Sequence, residues 1–303
     1  MGCEHNMTAG YLLLLALGTF WTLVAITLSE AKSKNCSIFV FYCTGSLLAV
    51  LLLSVIGGAN VLRELLLPEK RFALLCFAVC SVLNGTGQGI TMWNLKKGGR
   101  ALAYAIPQLA FLLPFIWSIF FWNQVLNWRS GGGILLIVGA TIYLSFRKHA
   151  GNDSNLELKR VLISTGAMLI CGFSQILMIT PTQLPPEKAL SPQTGACVIQ
   201  AVNALFFLIL IGVNRIADRS VWKSSAAYGA FWGLFATGAY CVLLPALRIL
   251  GKIGQSGIVF AVGCGMTIAL FTLFTVIRYR EKQSFGQWAA FAAIIAGVIL
   301  VRI

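Results

Sequence analysis

The chain has 303 residues, 58% of them hydrophobic and 11% charged, with a mean hydropathy of +0.84 and a net charge of +14. Soluble domains carry about 25% charged residues, so both a water-soluble globule and a disordered chain are excluded. The excess of Lys and Arg belongs to the flanks of membrane spans rather than to nucleic-acid binding, and a polytopic membrane protein remains.

The first apolar run, residues 9–29, is too long for a signal-peptide core. Glu30 follows it without a small-residue cleavage site, so it reads as the first membrane helix. The second run is 36–57, and the half-apolar NVLRELLLPEK at 60–70 reads as a short interfacial helix. The third run, 71–94, carries Asn84 and Gln88 on one helix face with Thr91 beyond them. They lie in NGTGQG, whose glycines weaken the helix and let backbone or ligand approach. The fourth run, 101–122, repeats the spacing with Tyr104 and Gln108, and adds Pro107 and Pro114, each of which frees a backbone carbonyl. The fifth run is 129–146, and the polar RKHAGNDSNLELKR at 147–160 then divides the chain.

Five further runs follow, at 161–180, 194–213, 226–247, 256–277 and 285–301. They hold Ser174 and Gln175, Gln200 and Asn203, Tyr240 and Pro245, and Gly263, Gly265 and Thr267. Gly229 and Gly233 form a GxxxG pair that predicts close helix packing. Ala289, Ala293 and Gly297 predict the same on the last helix, with a homodimer contact as the alternative. Trp93, Trp122, Trp128, Trp222 and Trp288 fall at the ends of runs, where interfacial aromatics belong.

The expected fold class is an all-α polytopic membrane protein of ten transmembrane helices. A five-helix repeat (1–146) would be joined by a polar linker (147–160) to a second (161–303). An odd number of spans per half sets the halves in opposite orientations. A shift of 158 residues supports duplication: Gly132 falls on Ala290, Gly139 on Gly297, Gly99 on Gly257 and Asn123 on Glu281.

This pattern resembles the ten-helix branch of the drug/metabolite transporter superfamily, the EamA-type exporters. Their halves often end in a Glu, a polar turn, and Gly about nine and sixteen residues on. Glu281 and Gly297 keep the longer spacing with Ala290 in place of the nearer Gly, while Asn123 replaces the first-half Glu. The Gly-rich stretch 254–274 also resembles the sugar-porter branch that includes the rhamnose–proton symporter. The resemblance implies a central cavity between helices 3, 4, 8 and 9, with helices 1 and 6.

None of the nine acidic residues falls in mid-span, and the two histidines, His5 and His149, lie outside the spans. Intramembrane charge usually marks function, so a proton-for-cation antiporter working through a mid-membrane Glu is excluded. No catalytic carboxylate pair and no metal-binding pattern stands in the spans. The nine cysteines include no CxxC pair and read as small hydrophobes. The expectation is therefore no enzyme, no metal and no cofactor.

The candidate substrate-binding residues are neutral: Asn84, Gln88, Tyr104, Gln108, Gln175, Gln200, Asn203 and Tyr240, with Trp21, Trp93 or Trp232 for stacking. Interhelical glue is the competing role for each amide. A hydrated midplane would also make Cys80 reactive to water-soluble thiol reagents. The function expected is a secondary transporter for a small neutral or zwitterionic polar solute, such as an amino acid, a sugar or a nucleoside-like metabolite. The alternative is a non-transporting membrane module: a sensor, a packing partner or a lipid-handling protein. The expected partners are the solute and the bilayer.

Loops after odd-numbered runs carry fifteen basic residues against eight elsewhere, which puts both termini outside; the resemblance implies termini inside. Short loops and the lack of a transit peptide suit a bacterial cytoplasmic membrane.

Overall fold

The computed structural model describes residues 2–96, 106–122, 124, 127–146, 154–214, 219–252, 254–280 and 284–302. Hydrocarbon offers the backbone no hydrogen-bond partner, so long apolar runs must satisfy their own amides and fold as helices. In chain order these are α1 (Gly2–Ser33), α2 (Ile38–Gly57), α3 (Ala59–Leu65), α4 (Arg71–Lys96), α5 (Leu112–Phe121), α6 (Trp128–Phe146), α7 (Ser154–Ile179), α8 (Pro192–Asn214), α9 (Arg219–Gly251), α10 (Ile258–Tyr279) and α11 (Phe285–Arg302). Among the described residues seven helices are long and apolar enough to cross a membrane, with shorter apolar helices at Ile106–Phe121 and Phe285–Leu300. Large apolar side chains such as Val55, Phe120, Leu135, Val213 and Ile277 are exposed on the outside of the bundle. That is the surface a bilayer covers. The chain is an all-α polytopic integral membrane protein.

Local chemistry accounts for the details. The 60–70 segment is helical, as α3 followed by a 3-10 turn at Pro68–Lys70. A 3-10 turn at Leu109–Phe111 leads into α5 just ahead of Pro114, which has no N–H for the Ala110 carbonyl four residues back. That carbonyl faces α7 instead, where a Cβ on Gly172 would stand 2.9 Å from it. The glycines of NGTGQG do not break α4, which is continuous over 26 residues. Gly85 and Gly87 let neighbours close in: a Cβ on Gly85 would lie 2.8 Å from Asn203 Oδ1, and one on Gly87 would strike Cys171 Sγ. Tertiary packing supplies what the helix propensity lacks.

α1 packs on α9 and α10, and α7 packs on α4 and α5. α2 packs on α9, α8 packs on α4, α2 pairs with α8, and α6 pairs with α11. The α2–α9 crossing is the tightest. A Cβ on Gly45 would stand 2.5 Å from Gly229 O, and one on Gly233 would collide with Gly45 O. The GxxxG pair is thus a backbone-to-backbone contact within the chain. On α11 the packed seam is Ala290, Ile294 and Gly297 against α6, with Ala289 exposed. The expected seam is therefore one residue out at its start, because helical drift turns Ala289 off the face.

Polar side chains gather the loops into two faces. On one, Tyr11 OH donates to Gln255 Oε1 at 3.1 Å, and Gly257 N donates to Gln124 Oε1 at 3.0 Å. On the same face, Glu64 Oε2 accepts from Ser191 N at 2.9 Å and from Ser191 Oγ at 2.8 Å, while Lys70 Nζ donates to Glu64 Oε1 at 2.8 Å. Burial alone would raise the Glu64 pKa, but the hydrogen bonds from Lys70, Ser191 and Thr194 outweigh it and hold the carboxyl down at about 2. We call this the tether face. On the opposite linker face, Ser37 N donates to Ser225 Oγ at 2.8 Å and Asn94 Nδ2 to Ser164 Oγ at 2.9 Å.

Candidate functional site

Among α1, α4, α7, α9 and α10 lies a cavity of about 220 Å³. Pockets for drug-sized ligands run to roughly 300–1,000 Å³, so this one suits a small metabolite. It runs from Leu28, Met92 and Pro107, near the linker-face ends of their helices, to a floor of Met178, Leu243 and Phe260. Beyond that floor, on the tether side, Leu14, Leu17, Phe111, Leu244, Leu247 and Val259 are packed at 0–1% exposure. These buried apolar side chains stand between the cavity and the tether face.

The walls are mostly apolar, with a set of neutral polar side chains among them. α4 supplies Asn84, Gln88 and Thr91, the start of the shorter apolar helix at Ile106–Phe121 supplies Gln108, and α7 supplies Ser174 and Gln175. α9 supplies Tyr240 and α10 supplies Thr267. No described lining residue carries a charge. Gln88 Nε2 donates to Asn84 Oδ1 at 3.3 Å, one helical turn apart. Thr91 donates to Gly87 O and Thr267 to Gly263 O, each at 2.8 Å. With their protons committed to backbone, these hydroxyls can only accept from a solute. Gln175 Oε1 is buried with no hydrogen-bond partner.

Aromatic rings complete the lining. Trp21 stacks on Phe260, with centroids 6.0 Å apart and planes 27° apart. Trp232 meets Tyr42 edge-on at 5.2 Å, and Tyr42 in turn stacks on Phe207 at 5.0 Å. Trp21 fits because Gly263 has no side chain there: a Cβ would stand 2.7 Å from its ring.

The structure thus brings together Asn84, Gln88, Gln108, Gln175 and Tyr240. Tyr104 lies outside the described residues. Gln200 and Asn203 do not line the cavity. They are buried between helices, where Asn203 Nδ2 bonds Ser46 Oγ at 2.8 Å across the α8–α2 contact. Asn203 thus bridges two helices, whereas Gln200 Oε1 is buried with no hydrogen-bond partner. Trp93 is 45% exposed and away from the cavity, whereas Trp21 and Trp232 line it. Cys80 is fully buried, with its Sγ 3.7 Å from Ser174 Oγ; the lining thiols are Cys171 and Cys264. Tyr42 and Phe260 went unflagged because an aromatic inside an apolar run has no polarity contrast to mark it. Only the helix orientation turns them inward.

No family model matches the chain and no curated protein matches it. One solved crystal structure of a protein shares the architecture, covering 97% of this chain and 96% of its own at a TM-score of 0.71. At 16% identity it establishes a shared fold alone. A sodium–calcium exchanger, crystallised and soaked with Na⁺ and Sr²⁺, aligns over 98% of this chain and 97% of its own, also at 16% identity. Its TM-score of 0.17 carries no inference. Fold and cavity define the class: a helical integral membrane protein with a neutral polar site in the middle of its bundle.

Proposed function

We propose that the protein is a secondary transporter, moving a small neutral or zwitterionic polar solute by alternating access around the cavity. The observation that carries this reading is the placement of the site. A cavity with neutral amides in its wall is lined from both sides of the 147–160 linker, and a layer of buried apolar side chains stands between it and one face. Transporters built from repeats hold their substrate at that junction and rock the halves about it.

The packing pattern supports ten spans in two inverted repeats. Exchanging the halves maps α1–α9 contact onto α7–α4, α1–α10 onto α7–α5, and α2–α9 onto α8–α4. The α2–α8 and α6–α11 pairs map onto themselves. This is the arrangement implied by the resemblance to the drug/metabolite transporter superfamily, and membership of it is part of the proposal, as is a bacterial cytoplasmic membrane. With no carboxylate, histidine, lysine or arginine among the described lining, the proposal is facilitated flux or exchange rather than proton coupling.

The test is counterflow in proteoliposomes with labelled neutral amino acids, deoxy sugars and nucleosides, run with and without a pH gradient. Counterflow of a panel member supports the transporter. Accumulation driven by the gradient overturns the facilitator. Absence of flux from folded, monodisperse protein favours the non-transporting module.

A further inference from the structure

We infer that Gly263 sets the largest solute the cavity admits. Its missing side chain seats Trp21 against α10, and a single methyl group there would turn the indole into the cavity and narrow it. This deepens the transporter proposal and rests on it for its consequence, a size limit on what is carried. Three observations carry it.

The first is the seat. Trp21 of α1 lies against α10, stacked on Phe260 with ring centroids 6.0 Å apart. A Cβ on Gly263, three residues further along α10, would stand 2.7 Å from Trp21 Cζ3 and 3.1 Å from Trp21 Cε3. Carbon atoms pack best at about 3.5–4.0 Å, so the indole must give way. The second is that its neighbours are held. The other atom near that Cβ is Leu17 Cδ2 at 3.2 Å, and Leu17 is fully buried in the apolar layer. Nor is α1 free to retreat. It packs on α9 as well as on α10, and Phe20 fills the space left where Gly238 of α9 has no side chain. The third is where the empty space lies. Trp21 is half-buried and borders the cavity, so a displaced ring swings into the space the solute would occupy.

The same helix supplies the control. A Cβ on Gly265 would meet Val298 Cγ2 at 3.1 Å and Ile294 Cγ2 at 3.5 Å, both on α11. Two residues are about 200° around a helix, so a methyl at 265 points away from Trp21. Both alanines raise helix propensity equally, and only the one at 263 touches the indole.

The experiment compares two thiol reagents of one chemistry and different girth, methyl and benzyl methanethiosulfonate, at Cys171 and Cys264 in the cavity wall. Peptide mass spectrometry reads each rate on the detergent-purified full chain. The measure is the ratio of benzyl to methyl rate, because both reagents depend equally on how often the cavity opens. The proteins are wild type, Gly263→Ala, Trp21→Leu, the double variant and Gly265→Ala, each checked for folding by its thermal melt. One methylene shifts discrimination in an apolar pocket by about 10–200-fold, so Gly263→Ala should lower the ratio about tenfold or more. Trp21→Leu should raise it. The double variant should match Trp21→Leu, since leucine lacks Cζ3 and Cε3, and Gly265→Ala should match wild type. A ratio unchanged in Gly263→Ala overturns the inference. So does a raised ratio, which would mean that α1 moved outward, and so does a double variant as restricted as Gly263→Ala. Should Gly263→Ala fail to fold, Trp21→Leu still decides, because no rise in its ratio overturns the inference.

Counterflow then tests the consequence with pairs that differ in size: alanine and phenylalanine, xylose and rhamnose, uracil and uridine. Gly263→Ala should slow the larger member of a transported pair more than the smaller. No counterflow from any folded protein sinks the transporter reading and leaves the width limit standing on the thiol ratio. Counterflow with an unchanged thiol ratio does the reverse.

Discussion

At the scale of single residues, the cavity carries its own chemical reporters. Cys171 and Cys264 line it, while Cys80 sits behind Ser174 at 0% exposure. A small methanethiosulfonate reagent should therefore modify Cys171 and Cys264, and bound solute should slow both reactions. Cys80 should stay unmodified until the protein unfolds. Mass spectrometry of peptides from single-cysteine variants reads each rate. Rapid labelling of Cys80 in folded protein, or rates at Cys171 that no solute changes, would contradict the lining described here. The residue scale is also where sequence reading divides most clearly. Asn84, Gln88, Gln108 and Gln175 are legible because an amide in an apolar run is conspicuous. Gln200 and Asn203 are equally conspicuous yet lie between helices, because spacing along one helix does not say which neighbour it faces. Tyr42 and Phe260 are invisible for the converse reason: their apolarity matches their surroundings.

At the scale of elements, two joints hold helices together, and each makes a prediction. At the α2–α9 crossing, Gly45 and Gly233 let backbones touch. The leucine of Gly45→Leu would meet the Gly229 carbonyl and the bulky Trp232 ring, neither of which is the far end of a flexible side chain. Overpacking of that kind costs about 1–3 kcal/mol or more, so the apparent Tm in detergent should fall clearly. Gly212, exposed on α8 with nothing near its missing Cβ, is the control. Gly212→Ala should leave the Tm unchanged or raise it, since Ala is the better helix former. The second joint is Glu64, which ties α3 to the start of α8. Its folded pKa of about 2 lies below the roughly 4.3 of a free glutamate. A depressed carboxylate stabilises fully above the unfolded value, and that contribution disappears as the pH falls toward 2. Glu64→Gln should lower stability at neutral pH by about 2 kcal/mol, the scale of hydrogen bonds to a charged group. It should also remove most of the stability change between pH 4 and 2. Identical acid limbs in wild type and Glu64→Gln would show that Glu64 does not hold this joint. The GxxxG pair was readable as packing, whereas the Glu64 tether was not, because its partner is 127 residues away and serine signals nothing at that distance.

At the scale of the whole molecule, helical class and membrane insertion follow from composition alone, because hydrocarbon permits few other backbone arrangements. The cavity's position does not: it depends on which helices meet, and a sequence with weak internal similarity says little about that. The structure shows α1, α4, α7, α9 and α10 all contributing to one cavity, with buried apolar side chains layered on its tether side. The proposed alternating access requires that layer to part. The hydrogen bond from Tyr11 OH to Gln255 Oε1 bridges α1 to the α9–α10 connection just beyond the layer, so it must break or move when the face opens. A Tyr11→Cys/Gln255→Cys variant, joined by a short thiol cross-linker in a background lacking Cys171 and Cys264, holds that face shut. The expected outcome is that cross-linking stops counterflow while solute binding persists, and that reduction restores flux if a cleavable linker is used. Mass spectrometry confirms the bridge. Undiminished counterflow from fully cross-linked protein would mean that the tether face never opens along this seam, and rocking of the two halves about the cavity would have to be abandoned.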